Sequence, residues 1–230
     1  MIARYVRIGL PEEAVKLFSD MQEVGDTPDQ VAFVAVINAC VGLGRLDEAT
    51  SLFSKMPEPN VVAWNVMISG HAQSGYVGEA IECYRFIRVS VVKHTRSTLG
   101  SVLSAIANLK TINEGQQVHS KAIRLGLESN VYVGSSLINM YSKCQIMESA
   151  SNVFYALDKK NIVLWNAMLG GCAQNGHHVQ VLQMFSKMRA FGFQPDGYTY
   201  TSILSACACL ECLDLCGTTA LISNKEQSGM

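Results

Sequence analysis

Between residues 162 and 196 the apolar side chains return at helical intervals. Trp165, Met168, Leu169 and Cys172 fall at i, i+3, i+4 and i+7, the spacing of one buried stripe on an α-helix. Asn175-Gly176 interrupts the stripe, Val181, Phe185 and Met188 resume it, and Gly192 and Pro195 close it, as turn and C-terminal signals do. Two helices joined by a turn are predicted. Over 131–161 the second helix of a similar pair is marked by Ala150, Val153, Phe154 and Leu157. A pair this small cannot bury its own apolar faces, so each must stack on its neighbours.

The pairs repeat along the chain. Residues 61–75, VVAWNVMISGHAQSG, match Ile162 to Gly176 at Trp, Asn, Met, Gly, Ala, Gln and Gly, at an offset of 101 residues. Residues 96–115 recur in the same way at 197–216, where TSILSACACLE answers GSVLSAIANLK. The first 29 residues carry Gly9, Ala14, Phe18, Met21, Gly25, Pro28 and Asp29, the punctuation that closes the other units. The chain therefore divides into a partial unit at 1–29, complete units at 30–60, 61–95, 96–130, 131–161 and 162–196, a partial unit at 197–216 and a divergent tail at 217–230. Complete units measure 31, 35, 35, 31 and 35 residues, and the 101-residue offset is one turn of a 35, 35, 31 cycle. The expected fold is all-α, a right-handed α-solenoid of helix-turn-helix repeats, about five of them complete with partial ones at both ends. Two uncapped ends predict apolar terminal faces and low solubility for the isolated chain.

Composition narrows the function classes. With 49% hydrophobic and 16% charged residues the chain can bury a large core,. A formal charge of -1 gives bulk electrostatics no case for nucleic acid, so such a case must come from particular residues,. Eight unevenly spaced cysteines without a secretory segment point to reduced, buried thiols,. No apolar run reaches the roughly 18 residues of a membrane helix, and the opening MIARYVRIGLPEEAV is neither a signal nor a transit peptide,.

These unit lengths, the WN-x-M-[IL]-x-G-x-AQ-x-G openings at 64–75 and 165–176, SVLSAIANLKTINEGQQVH at 101–119 and SSLINMYSKC at 135–144 resemble the pentatricopeptide repeat family, in its plant class that cycles P, L and S repeats. The repeats 61–95 and 162–196 look P-like, 96–130 L-like, and 30–60 and 131–161 S-like. A tetratricopeptide array is the nearest rival, but its constant period of about 34 residues and its W-x2-L-G-x2-Y opening are not found here. The resemblance implies single-stranded RNA as partner, one base per repeat, with no cofactor and no membrane or DNA partner. It also implies a mitochondrial or chloroplast address and a place in organellar RNA editing or processing, with an editing deaminase or accessory protein as a further partner. In that family the fifth and last residues of a repeat meet the base edge and the second packs on base faces. Carried over, the reading pairs are Asn65 with Thr95, Gly100 with Asn130, Ser135 with Asn161 and Asn166 with Asp196, and the packing residues are Val62, Tyr132 and Val163. Asn offers donor and acceptor, whereas Asp accepts only and favours a base that presents N–H, such as uracil at N3. The expected readout from residue 61 is pyrimidine, any base, A, U. Gly100 has no side chain to read with, and Val34 with Asn60 is likewise mute.

Plainer roles compete for the same residues. An isolated Asn, Ser or Asp at a helix start is ordinarily a cap. Asn65 and Asn166 instead follow a Trp inside a helical run, and they recur at the cycle length. Trp64 and Trp165 belong to the apolar stripe as core residues, and His177 and His178 are expected in a solvent-facing turn. Lys121, Arg124, Lys143 and Lys187 can line the groove and meet phosphates. Cys207, Cys209, Cys212 and Cys216 have a spacing that could suggest zinc, but four ligands so close on one helix point around its circumference and cannot converge. None of the five histidines is followed two residues later by Glu, so the H-x-E signature of a zinc deaminase is missing, and no enzyme is expected. A peptide-binding scaffold and an inactive gene fragment are the alternatives to RNA recognition.

Overall fold

The computed structural model describes residues 1–89 and 94–210. Its elements are α1 (Ile2–Arg7), α2 (Pro11–Glu23), α3 (Gln30–Gly42), α4 (Leu46–Ser54), α5 (Val61–Gln73), α6 (Val77–Val89), α7 (Arg96–Leu109), α8 (Ile112–Arg124), α9 (Val131–Lys143), α10 (Met147–Ala156), α11 (Ile162–Gln174) and α12 (His178–Ala190), followed by α13 at 197–210. No strand occurs among the described residues. The helices form two compact units, Met1–Ala122 and Ile123–Met230.

In the first unit α1, α3, α5 and α7 pack in succession, and α2, α4 and α6 each pack on the first helix of the next pair. In the second unit α9 packs on α11, and α10 packs on both. First helices are thus sandwiched between neighbours. Their apolar residues spread around the helix accordingly: α3 buries Phe33, Val36, Ile37 and Cys40, and α11 buries Trp165, Met168, Leu169 and Cys172. The stripe of the second helix is equally direct, since Ala150, Val153, Phe154 and Leu157 are all buried. On α12 the buried face is Val181, Met184 and Met188, while Phe185 is only half-buried.

At α5 and α11, close approach to the preceding first helix depends on glycine at the tenth helical position. A Cβ at Gly70 would stand 2.8 Å from both Val41 methyls, and one at Gly171 would meet the Ser142 hydroxyl and lie 2.9 Å from the Ser142 Cβ. Each turn within a pair also needs one left-handed residue. Gly44, Gly75 and Gly176 supply it with φ of 74°, 86° and 75°, but Lys110 and Gln145 hold the same position at 57° and 63°. For these two the backbone is in a region that disfavours a Cβ. Gln145→Gly is therefore expected to raise stability by about 0.5–1 kcal/mol, measured by urea unfolding. A loss of stability would show that the Gln145 side chain contributes more than its backbone costs.

Candidate nucleic-acid interface

Every closing residue is the N-cap of the next first helix. Asp29 accepts from the Ala32 amide at 2.7 Å, Asn60 from Val62 and Ala63 at 3.0 Å, and Thr95 from Thr98 at 3.3 Å. Asn130 accepts from Tyr132 at 3.0 Å and Val133 at 3.3 Å, Asn161 from Leu164 at 3.1 Å, and Asp196 from Thr199 at 2.9 Å. Capping is what these residue types do at helix starts. It also fixes each closing side chain two residues before the second residue of the following repeat.

Asn65 and Asn166 cap nothing. They lie inside α5 and α11, and each faces the closing residue of its own repeat. Asn166 Nδ2 lies 2.9 Å from both carboxylate oxygens of Asp196, and Asn65 Nδ2 donates to Thr95 Oγ1 at 3.5 Å. The first pair is a charge-assisted bond of ordinary length and the second is at the weak limit. The Asp196 carboxyl is held below its ordinary value of 3.8, first by the Thr199 backbone amide, with the Thr199 hydroxyl and Asn166 amide adding to it against partial desolvation. Its acceptor character therefore persists through the neutral and mildly acidic range.

The other expected pairs are arranged differently. Ser135 turns its hydroxyl to the Tyr132 carbonyl at 3.0 Å, Asn161 is bonded to its cap amide, and no hydrogen bond joins the two. Gly100 is buried on α7 in the first unit, while Asn130 caps α9 in the second. Asn60 donates from Nδ2 to Gln30 Oε1 at 3.2 Å, beside Val34.

Except in 96–130, where it is the polar Ser97, the second residue of each repeat is exposed and apolar. Val62, Tyr132 and Val163 are 50%, 52% and 52% exposed. Val31 and Tyr198, at the same position in their repeats, are 64% and 80% exposed and extend the series. Neither was singled out from sequence, although position alone within the repeat would have found both. Each unit has a cleft at this register. In the second, about 530 Å³ is bounded by Val163, Asn166, Gly170, Gln174, Asp196 and Tyr198; in the first, about 420 Å³ is bounded by Val31, Val34, Asn60, Val62, Val66 and Arg7. One cleft is polar at its reading position and the other apolar.

Several expectations for side groups need correction. Lys121 and Arg124 belong to α8 and Lys187 to α12, where the Lys187 ammonium sits 5.8 Å from the Tyr155 ring centre. All three are on second helices, so they do not share the face of the reading residues. Lys143 ends the first helix α9 in the register of cleft-lining Gln174. Trp165 is a core residue, but Trp64 is half-buried, edge-on to Phe53 at 4.7 Å. His177 is exposed as expected, whereas His178 is half-buried with Nδ1 shielded. Burial pushes the Cys40 and Cys83 thiols up to about 11, with Glu48 adding to the effect at Cys40 and Glu79 and Glu82 at Cys83. Cys207 is half-buried and Cys209 exposed, while Cys212 and Cys216 lie outside the described residues. Among the described residues no three His, Cys, Asp or Glu side chains gather where they could hold a metal ion.

The model of the PPR repeat matches residues 1–26, 31–61 and 62–90, and that of the PPR repeat family matches 160–209. Together they cover more than half of the chain. The chain belongs to the pentatricopeptide repeat family. A mitochondrial pentatricopeptide repeat-containing protein of Arabidopsis thaliana is 52% identical over 94% of this chain and 21% of its own length. A chloroplastic one from the same plant is 35% identical over 85% of this chain and 25% of its own length. The chain thus spans about a fifth to a quarter of these pentatricopeptide repeat relatives. Among solved structures, maize PPR10 superimposes with a TM-score of 0.61 at 17% identity, over all of this chain and 38% of that one. PPR10 in complex with an 18-nucleotide psaJ RNA element gives a TM-score of 0.60 at 21% identity, over 91% of this chain and 37% of that one. The likeness shows the fold, the α-solenoid of pentatricopeptide repeats.

Proposed function

We propose that the chain is part of a sequence-specific single-stranded RNA-binding protein of the P, L and S class, reading one base per repeat. The observation that carries this is the recurrence, one cycle apart, of a helix-interior asparagine held against the closing residue, with an exposed valine as the second residue of the same repeat. At Asn166 and Asp196 the exposed Val163 and Tyr198 on either side of the polar pair make a place for a base to slide between, since every base has an apolar face; at Asn65 and Thr95 the corresponding residues are Val62 and the polar Ser97,. At Asn166 and Asp196 the second amide N–H and the free lone pairs of the carboxylate form a donor beside an acceptor, which suits O4 and N3–H of uracil. At Ser135 and Asn161 the free Asn161 amide can donate to adenine N1 while the Ser135 oxygen accepts from N6. Asn65 with Thr95 favours a pyrimidine, and Gly100 with Asn130 leaves its base unread. Support for an organellar setting comes from the mitochondrial and chloroplastic names of the relatives. In that setting the chain would place an editing or processing activity, supplied by a deaminase or accessory partner, on its transcript.

The test is binding of the purified chain to a short RNA containing pyrimidine, any base, A, U against one with A and U exchanged, at one salt concentration because phosphate contacts alone depend on salt. The first RNA should bind about tenfold tighter, and the preference should disappear in Asn166→Ala and Ser135→Ala. Equal affinity for both RNAs would overturn the assignment.

A further inference from the structure

Thr98 and Thr199 are fully buried, yet neither belongs to the reading pairs. Each is the third residue of a first helix, three positions after a closing residue. The Thr98 hydroxyl donates to Asn65 Oδ1 at 2.6 Å, and the Thr199 hydroxyl reaches Asn166 Oδ1 at 2.7 Å. Each also receives a backbone N–H at 3.2 Å, from Thr95 and Asp196 respectively. A backbone N–H can only donate, so it takes up oxygen lone-pair density and leaves the hydroxyl proton to find an acceptor. The short contact in both cases is the asparagine oxygen. Thr199 also lies 3.0 Å from Asp196 Oδ1, and Thr98 3.0 Å from Thr95 Oγ1, so each hydroxyl completes a closed cluster.

The pattern in the sequence follows the same rule. Where the fifth residue is Asn65 or Asn166, the third residue of the next repeat is Thr98 or Thr199. Where the fifth residue is Val34, Gly100 or Ser135, the third residue of the next repeat is Ala63, Val133 or Leu164. A threonine is present in the repeats that have an amide to orient, and an apolar residue in those that do not. The caps differ in the same way, since Thr98 and Thr199 each complete a capping box by accepting the N–H of the N-cap residue, whereas α5, α9 and α11 have an N-cap asparagine without such a box. The box uses only the lone pairs of the hydroxyl oxygen, so it does not account for the short contact that the hydroxyl proton makes to the asparagine,.

We infer that Thr98 and Thr199 are positioning residues for base discrimination, which hold the asparagine amide with its oxygen inward so that nitrogen, and not oxygen, faces the nucleobase. The inference rests on the RNA-reading function proposed above. It makes Asn65 and Asn166 donors only, towards a carbonyl oxygen or an unprotonated ring nitrogen. A free asparagine could turn its amide over and accept from an amino group instead, which would blunt the choice. At Asn166 the Asp196 carboxylate opposes the same flip, so Thr98 matters relatively more at Asn65, where the closing Thr95 can both donate and accept.

Thr199→Val keeps the shape of the buried side chain and removes the hydroxyl; Thr199→Ser restores it. In the full chain, the preference for U over the other bases at the last readable position should fall three- to tenfold in Thr199→Val, with affinity for the non-cognate RNA unchanged, and should return in Thr199→Ser. A preference equal to wild type in Thr199→Val would overturn the inference, whatever happens to thermal stability. An RNA-free arm separates this outcome from failure of RNA reading itself: hydrogen exchange of the Asn166 side-chain amide, followed by NMR, should be at least fivefold faster in Thr199→Val. If wild type binds all RNAs equally but the amide protection is lost as stated, the reading function falls and the positioning stands. Unchanged amide exchange sinks the positioning.

Discussion

Trp165→Ala should destabilise the second unit by about 3–5 kcal/mol, the range for removing a fully buried aromatic side chain without refilling its space. Trp165 is 1% exposed and meets Phe154 edge-on at 4.9 Å, with Phe191 and Phe193 at 5.9 and 6.1 Å. These rings come from α10, from the end of α12 and from the loop after it. One side chain therefore ties a first helix to the second helices on either side, and small domains have only about 5–15 kcal/mol in total. Trp64→Ala, at the same repeat position in the first unit, should cost clearly less. Trp64 is half-buried and, among the described residues, has Phe53 as its ring partner. Urea unfolding of the two variants, monitored by circular dichroism, decides the matter: equal losses would show that the local ring cluster is not what anchors α11. Trp165→Phe should cost less than Trp165→Ala, since the indole Nε1 is buried without a partner and its removal loses no bond,.

The contrast between the two tryptophans marks how far sequence reasoning reaches. The stripe from Trp165 to Cys172 is visible as a spacing, because a helix interior repeats every 3.6 residues regardless of what lies beyond it. First helices of the repeats begin at Gln30, Val61, Arg96, Val131 and Ile162, each directly after a residue able to cap. How deep each Trp goes depends on which rings meet it from neighbouring helices, and no local pattern carries that. The Lys187 expectation failed for a related reason. Charge says that a residue wants water or an anion, but only the packing of α12 says which face it has. Thr98 and Thr199 were legible in principle, since they recur at the 101-residue offset together with Asn65 and Asn166. A threonine in the first turn of a helix also fits a capping box, so its spacing alone does not reveal the further contact to the asparagine.

Asp196→Asn should change which base is bound while leaving the fold intact. Asparagine caps a helix about as well as aspartate, so α13 should keep its start. The chemistry presented to a base changes, because Asp196 can only accept whereas an amide can turn and donate. Uracil at N3 carries a proton and cytosine does not. The preference for U over C at this position should therefore fall about five- to tenfold, the worth of roughly one base-edge hydrogen bond, with total affinity for a mixture of both RNAs little altered. A uniform loss for every RNA would mean that Asp196 acts through helix stability alone. The pH dependence gives an independent check with a definite sign. A carboxyl whose folded pKa is depressed contributes stability that is fully present above its unfolded value, near 3.9, and lost as pH falls through the lower folded one. For Asp196 the shift is downward, chiefly through the Thr199 amide. Lowering the pH from 7 to 5 should therefore leave both the start of α13 and the choice of U unchanged in the wild-type chain. Loss of the U preference already at pH 5 to 6 would place the titrating group elsewhere and remove Asp196 from the reading pair.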